Sequence, residues 1–246
     1  MRLAVVTDIH GNLPALEAVV EDFTRRGVDA VINLGDALSG PLLPRETAQY
    51  LMASGWTHLA GNHERQILHP AKHGRGPSDA YAHAQLGEAE LAWIATLSPT
   101  HRYSDAVYCC HASPRSDLEY FLETVDPHGM RAATRDEIDL RLGGVDAELV
   151  LCGHTHVPRV VRASNGTLVV NPGSVGQPGF LDDLPFPHFV SAGSPDARYA
   201  IVEQRGAAWT AMLLAVPYDH DAMVALARAR DRAEWVSALA TGYVHP

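Results

Sequence analysis

Two short apolar runs near the N-terminus constrain the fold most. Residues 3–6 (Leu-Ala-Val-Val) and 30–34 (Ala-Val-Ile-Asn-Leu) lack the alternation of a half-exposed strand. Strands that are apolar at nearly every position are buried on both faces, as in parallel sheets covered by helices. A helical pattern separates the two runs. Asn12 can cap it, Pro14 suits its first turn, Leu13, Leu16, Val19, Val20 and Phe23 recur at helical spacing, and Gly27 stops it. The chain therefore opens β-α-β.

The same reading predicts a helix over 44–53, a strand over 57–60, and a helix over 78–97 capped by Ser78, preceded by a Gly/His-rich interruption at 72–77. A strand at 105–110 and a helix at 134–142 follow. Short strands are expected at 149–152, 159–163, 168–171, 199–204 and 209–215, and Asn165-Gly166 signals a hairpin between two of them. A helix capped by Asp219 is expected over 219–240. Residues 177–197 contain Pro178, Pro185, Pro187 and Pro195 with little periodicity, and read as one long loop. The expectation is a single α/β domain over 1–246, with two stacked mixed β-sheets flanked by helices.

Composition narrows the function classes. The formal charge of −10 would repel a polyanion, so general nucleic-acid binding is not expected. A cation site can still draw in a phosphate locally. Cys109, Cys110 and Cys152 form no disulfide framework; adjacent strand residues point to opposite faces, and all three read as core residues. The four apolar residues after Arg2 are too few for a signal-peptide core, and nothing approaches a membrane span. A cytoplasmic location with no membrane partner is the expectation.

Five polar motifs carry the chemistry: Asp8-Ile9-His10, Gly35-Asp36, Gly61-Asn62-His63-Glu64, His111 and Gly153-His154-Thr155-His156. Each sits where an apolar strand gives way to a loop, and in parallel sheets such strand ends share one edge. Asp8 and His10, and likewise His154 and His156, are two residues apart and would leave one face of extended backbone. A carboxylate shared by two cations would hold them roughly 3.5–4 Å apart, and Asp36 is the natural candidate. The preceding glycines would permit sharp turns and a close approach of substrate.

These motifs, in this order, resemble the calcineurin-like metallophosphoesterase superfamily, and within it the small bacterial and archaeal phosphodiesterase-like branch. The resemblance implies a four-layer αββα fold and a dinuclear metal site. It implies that Asp8, His10, Asp36 and His156 hold one cation, and that Asp36, Asn62, His111 and His154 hold the other. His63 would face the phosphate and protonate the leaving oxygen. Two cations would make hydroxide available from a shared water near neutral pH. Mn²⁺ is the expected metal, with Fe, Ni, Co or Zn also suited to nitrogen and oxygen donors.

The segment Gly35-Asp36-Ala-Leu-Ser-Gly-Pro41 lacks the second Asp and the phosphate-binding Arg of the G-D-x-x-D-R-G motif. Protein phosphatases and diadenosine tetraphosphatases of the superfamily carry that motif, so both are second readings here. A small-molecule or nucleotide phosphoester is the expected substrate, and a silent binding scaffold is the third reading. Arg115 either reaches a substrate phosphate or is a solvated loop arginine. Asn171-Pro-Gly-Ser174 reads more as a structural turn than a catalytic one. Phe180, Phe186 and Phe189 either stack on a base or anchor their loop in the core.

Overall fold

The computed structural model describes residues 1–70, 74–206 and 208–244. The chain runs β1 (Arg2–Val6), α1 (Leu13–Arg26), β2 (Ala30–Asn33), α2 (Pro44–Ala53), β3 (Thr57–His58) and α3 (Asn62–Leu68). Then come α4 (Pro77–Gln85), α5 (Glu88–Ile94), β4 (Thr100–Arg102), β5 (Val107–Cys110), β6 (Glu123–Asp126), β7 (Gly129–Ala132) and α6 (Arg135–Leu142). The remainder holds β8 (Leu149–Leu151), β9 (Arg159–Arg162), β10 (Leu168–Asn171), β11 (Gly179–Asp182), β12 (His188–Ser191), β13 (Ala197–Arg205), β14 (Ala208–Val216), α7 (Asp221–Ala229) and α8 (Ala233–Thr241).

Two five-stranded sheets form, ordered β14-β13-β1-β2-β3 and β4-β5-β8-β10-β9. In the first, β1, β2 and β3 are parallel, while β13 and β14 join antiparallel. In the second, β5, β8 and β10 are parallel, with β4 and β9 antiparallel at the edges. The period of two along β1 explains the layering. Leu3 and Val5 join the cluster between the sheets with Ile32, Cys109, Leu151 and Val170. Ala4 and Val6 join the outer cluster with Leu16, Val19 and Phe23 of α1. On the far side, Val150, Cys152 and Val169 pack with Ile138 and Leu142 of α6. The order is helix, sheet, sheet, helix, and Leu3→Ala in its centre should cost about 2–5 kcal/mol.

Asn12 caps α1 as expected, its side-chain oxygen accepting the Ala15 N–H at 3.3 Å. Asn165-Gly166 does join β9 to β10. All three cysteines are free and buried, Cys109 facing the inter-sheet core and Cys110 the outer one.

Other expectations change. The helix over 78–97 is two helices, because Gly87 is extended and Glu90 reaches back to accept its N–H at 2.8 Å. Ser78 lies inside α4, which opens at Pro77 after Gly76. Part of the 72–77 interruption, His73 included, and His245 lie outside the described residues. The C-terminal helix is likewise split at residues 230–232, and it opens at Asp221, whose N–H is accepted by the Asp219 carboxylate at 3.2 Å. Residues 177–197 are not a loop, since β11 and β12 pair as a hairpin with Phe180 opposite Val190 and Asp182 opposite His188. None of its prolines falls inside a strand, so none removes a ladder donor. Among the described residues, no helix is long and apolar enough to cross a membrane.

Candidate active site

The C-terminal ends of the parallel strands from both sheets meet at one edge. Asp8 and His10 follow β1, Asp36 follows β2, Asn62 and His63 open α3 after β3, His111 follows β5, and His154 and His156 follow β8. The backbone there is not extended. Asp8, His10, Asp36, His154 and His156 have φ of 54°, 52°, 51°, 70° and 58°, a region that costs about 1–2 kcal/mol for residues bearing a Cβ. Among the described residues, Asp231 alone joins them as a non-glycine residue with positive φ. Backbone hydrogen bonds impose these turns: Asp8 N–H to Gly35 O (3.0 Å), His10 N–H to Asp36 O (3.1 Å) and Gly176 N–H to Asp8 O (3.1 Å). Strain gathered on chemically active residues is a mark of a functional site.

Asp8, His10 and His156 form one buried cluster. The Nε2 atoms of His10 and His156 lie 3.2 Å apart, and Asp8 Oδ1 is 3.9 Å and 3.3 Å from them. The outer nitrogens face carbonyls, His10 Nδ1 on Ser39 O at 2.7 Å and His156 Nδ1 on Gln177 O at 2.8 Å. A nitrogen facing a carbonyl must carry the proton, so each neutral ring points the lone pair of Nε2 inward. Asp8 Oδ1, fully buried, has no hydrogen-bond partner. Three electron-rich atoms thus face one another, an arrangement a cation satisfies and nothing else present does. Burial, with His156 and His63 adding to it, lowers the His10 pKa to about 3, which keeps the ring neutral.

Asp36, His111 and His154 form the second cluster. His111 Nε2 is 3.0 Å from Asp36 Oδ2 and 3.2 Å from Asn62 Oδ1, while its Nδ1 faces Leu34 O at 2.9 Å. Asn62 donates its amide N–H to Gln66 Oε1 at 3.3 Å, which turns its oxygen inward. His154 Nε2 faces Leu118 O at 3.2 Å, which leaves Nδ1 available to the cluster. Burial opposes protonation of His111, yet the Asp36 carboxylate prevails and raises it to about 10.

Several residues support the two clusters without belonging to either. The buried Glu64 carboxylate accepts the N–H groups of Gly61 (2.7 Å), Asp36 (2.8 Å) and Ala37 (2.9 Å), tying the Asp36 loop to the start of α3. A Cβ on Gly61 would overlap Asp36 Oδ1, so this glycine admits a ligand rather than a substrate. The Asn171–Ser174 turn is structural. Ser174 donates to Asp8 O at 2.8 Å, and Asn171 donates to Gly153 O at 2.8 Å. His63 turns Nδ1 to Asp79 Oδ1 at 2.7 Å, a partner that lies 16 residues on in α4 and belongs to no motif.

Above the clusters opens a cleft of about 890 Å³. His10, Asp36, Asn62, His63, His154 and His156 line its floor, and Tyr120, Phe180, Leu184 and Trp235 its walls. Phe180 meets His156 edge to face at 4.8 Å and Trp235 meets His10 at 6.0 Å, so the apolar walls reach the ligands. Phe186 and Phe189 are exposed and do not anchor the segment in the core, in contrast to the sequence reading. Arg115 is not brought into the cleft. Its guanidinium forms two hydrogen bonds with Glu119, the solvated-loop alternative. Arg141 and Arg232 line the cleft instead.

A strand-end site of this composition has a counterpart in a known family, because the model of the calcineurin-like phosphoesterase superfamily domain matches residues 1–190. The chain belongs to the calcineurin-like phosphoesterase superfamily. A metallophosphoesterase from Sphaerobacter thermophilus superposes with a TM-score of 0.75 at 26% identity, covering 99% of this chain and 100% of that one. A hypothetical protein from Pyrococcus horikoshii shares the fold, with a TM-score of 0.73, 18% identity and 99% coverage of both chains. An uncharacterized protein of Methanocaldococcus jannaschii is 25% identical over 206 residues, which is 72% of this chain and 76% of that protein. The superfamily match and the two clusters together point to divalent metal binding. The match ends before α8, which supplies Trp235 to the cleft, and before the α7–α8 connection, which supplies Arg232.

Proposed function

We propose that the chain is a dinuclear-metal phosphoesterase that hydrolyses phosphodiester, or phosphomonoester, bonds of small-molecule or nucleotide substrates in the cytoplasm. One observation carries the reading: two buried Asp/His clusters with inward-facing donor atoms lie beneath an open cleft.

In this reading Asp8, His10, Asp36 and His156 hold one cation, and Asp36, Asn62, His111 and His154 the other, Asp36 being shared. Mn²⁺ is the first candidate, and Fe, Ni, Co and Zn suit the same donors. When bound, the cations supply Lewis acidity, charge neutralisation on phosphoryl oxygens and an activated water. The protein's own residues do the rest. Carbonyl contacts on the outer nitrogens of His10, His111 and His156 fix each ring as a neutral donor. Asn62 and His63 face the bound phosphoryl group, and the bond to the leaving oxygen breaks as water's oxygen joins phosphorus. His63 gives that oxygen its proton from Nε2, because Asp79 occupies Nδ1. The apolar walls receive the organic part of the substrate and exclude bulk water.

The test compares bis-p-nitrophenyl phosphate, p-nitrophenyl phosphate and a phosphopeptide, with and without added Mn²⁺. Metal-dependent turnover of the first two is expected. Turnover confined to the phosphopeptide would favour a protein phosphatase, and none at all would leave a binding scaffold.

A further inference from the structure

The Gly35–Pro41 segment lacks an arginine, and Arg115 is tied to Glu119, yet the cleft is lined by a guanidinium, that of Arg232. Arg232 lies in the short connection between α7 and α8. Its Nη2 donates to Ser78 Oγ at 3.0 Å, and its Nε donates to Glu234 Oε1 at 2.7 Å. Its Cζ lies 6.0 Å from the centre of the Trp235 ring. Trp235 touches His10, the His10 and His63 rings are 5.5 Å apart, and His63 is bonded to Asp79, the neighbour of Ser78. These contacts place Arg232 in the same cleft as His63, joined to it through Ser78 and Asp79 on one side and through Trp235 and His10 on the other.

The position is held firmly. Arg230 donates to Leu42 O at 2.7 Å and lies 4.5 Å over the Tyr81 ring. Trp235 packs in one cluster with Leu42, Met223 and Leu239. The connection is thereby clamped to the segment after Asp36 and to α4. Arg232 is 18% exposed, and among the described residues its Nη1 has no hydrogen-bond partner. Glu234 is 41% exposed, so solvent screens the pair and an entering anion meets a guanidinium with donors to spare. Arg141, the other arginine of the cleft, is spent on Phe121 O, Glu123 O and Thr124 Oγ1, where it holds the β6 strand.

We propose that Arg232 binds an oxyanion on the leaving-group side of the substrate. Preferred substrates therefore carry a phosphate or carboxylate beyond the bond that is cut. The inference rests on the phosphoesterase reading above and adds the substrate class. It also makes the C-terminal helices, which lie beyond the superfamily match, the specificity element of this chain.

The experiment follows phosphate release by the metal-loaded protein from three substrates. They are p-nitrophenyl phosphate, whose leaving group has no second anion, ADP, whose leaving group is AMP, and 2-phosphoglycolate, whose leaving group bears a carboxylate. Arg232→Gln should raise KM for ADP and phosphoglycolate on the order of ten- to a hundredfold, the scale of one charged hydrogen bond, with p-nitrophenyl phosphate little changed. A rise for only one of the two identifies which oxyanion the site takes. Arg232→Lys should recover part of the loss. Calorimetry adds a readout independent of turnover: Arg232→Gln should weaken AMP binding while leaving inorganic phosphate binding intact. Equal losses on all three substrates, or no change on any, would overturn the inference. If Arg232→Gln lowers the melting temperature, Glu234→Gln replaces it and should lower KM for ADP; an unchanged KM there also overturns it. Should the native protein turn over nothing, the phosphoesterase reading fails, and the AMP calorimetry still decides the role of Arg232.

Discussion

The imidazole of His63 and the carboxylate of Asp79 meet at 2.7 Å, Nδ1 to Oδ1, joining the first turn of α3 to the first turn of α4. Burial alone would lower the His63 pKa, but Asp36 and then Asp79 raise it to about 9. These carboxylates favour the protonated ring, the form that the proposed leaving-group acid needs. Bound cations would push it back down, so the alkaline limb of the activity profile should fall at or below pH 9.

The pair gives two graded variants. His63→Ala should keep metal content and slow turnover by roughly 10²-fold or more on poor leaving groups, the usual scale of general acid catalysis. Asp79→Asn should cost less, on the order of tenfold, because the acid remains and only its orientation and charge support are lost. Stopped assays with leaving groups of graded pKa check both. Equal losses across all leaving groups would remove His63 from the role of acid.

One hydroxyl, that of Ser174, reaches Asp8 directly and His156 through Gln177. It donates to Asp8 O at 2.8 Å and accepts the N–H of Gln177 at 2.9 Å, and the Gln177 carbonyl orients His156. Ser174→Ala should destabilise the fold by about 1–3 kcal/mol and weaken the Asp8 cluster's hold on its cation. Thermal melts with and without metal, with elemental analysis after dialysis, test this; unchanged retention would make the turn a bystander.

His58 is a neutral histidine by construction. Asn33 Oδ1 accepts the Gly35 N–H, which turns the Asn33 amide N–H toward His58 Nδ1 at 3.4 Å. Ser54 Oγ donates to Leu51 O, so it can only accept from His58 Nε2. Burial lowers the His58 pKa to about 4. A depressed histidine leaves stability intact above its unfolded pKa near 6.5 and removes it as pH falls toward 4, by up to about 3 kcal/mol. Urea titrations at stepped pH should show a shallower acid slope for His58→Gln than for the native chain. Parallel slopes would contradict the assignment.

The sequence was most legible where chemistry and periodicity coincide. Asp8, His10, Asp36, His111, His154 and His156 stand together because each follows a strand whose burial can be read from its residues, while Asn62 opens α3 after the short, half-buried β3. Asp79, Ser174 and Arg232 act through tertiary contact. Asp79 looks like any acid in a helix's first turn, and nothing near Arg232 in sequence shows that α7 and α8 fold back over Leu42. The β11–β12 hairpin was hidden because its prolines suggested a loop, although all of them lie between or outside the strands. The extended backbone expected at Asp8 and His10 is replaced by left-handed turns, which local propensity disfavours and the neighbouring strand's carbonyls impose.

Two cations held by these clusters are proposed to carry the hydrolysis. This is tested most directly by measuring metal content and bis-p-nitrophenyl phosphate turnover together, for the native chain and for Asp36→Asn, after chelation and reloading with Mn²⁺. Two metal ions per native chain are expected, with activity lost on chelation and regained on reloading, and with both metal and turnover lost in Asp36→Asn. Full Mn²⁺-dependent activity in Asp36→Asn, or native turnover indifferent to chelation, would contradict it.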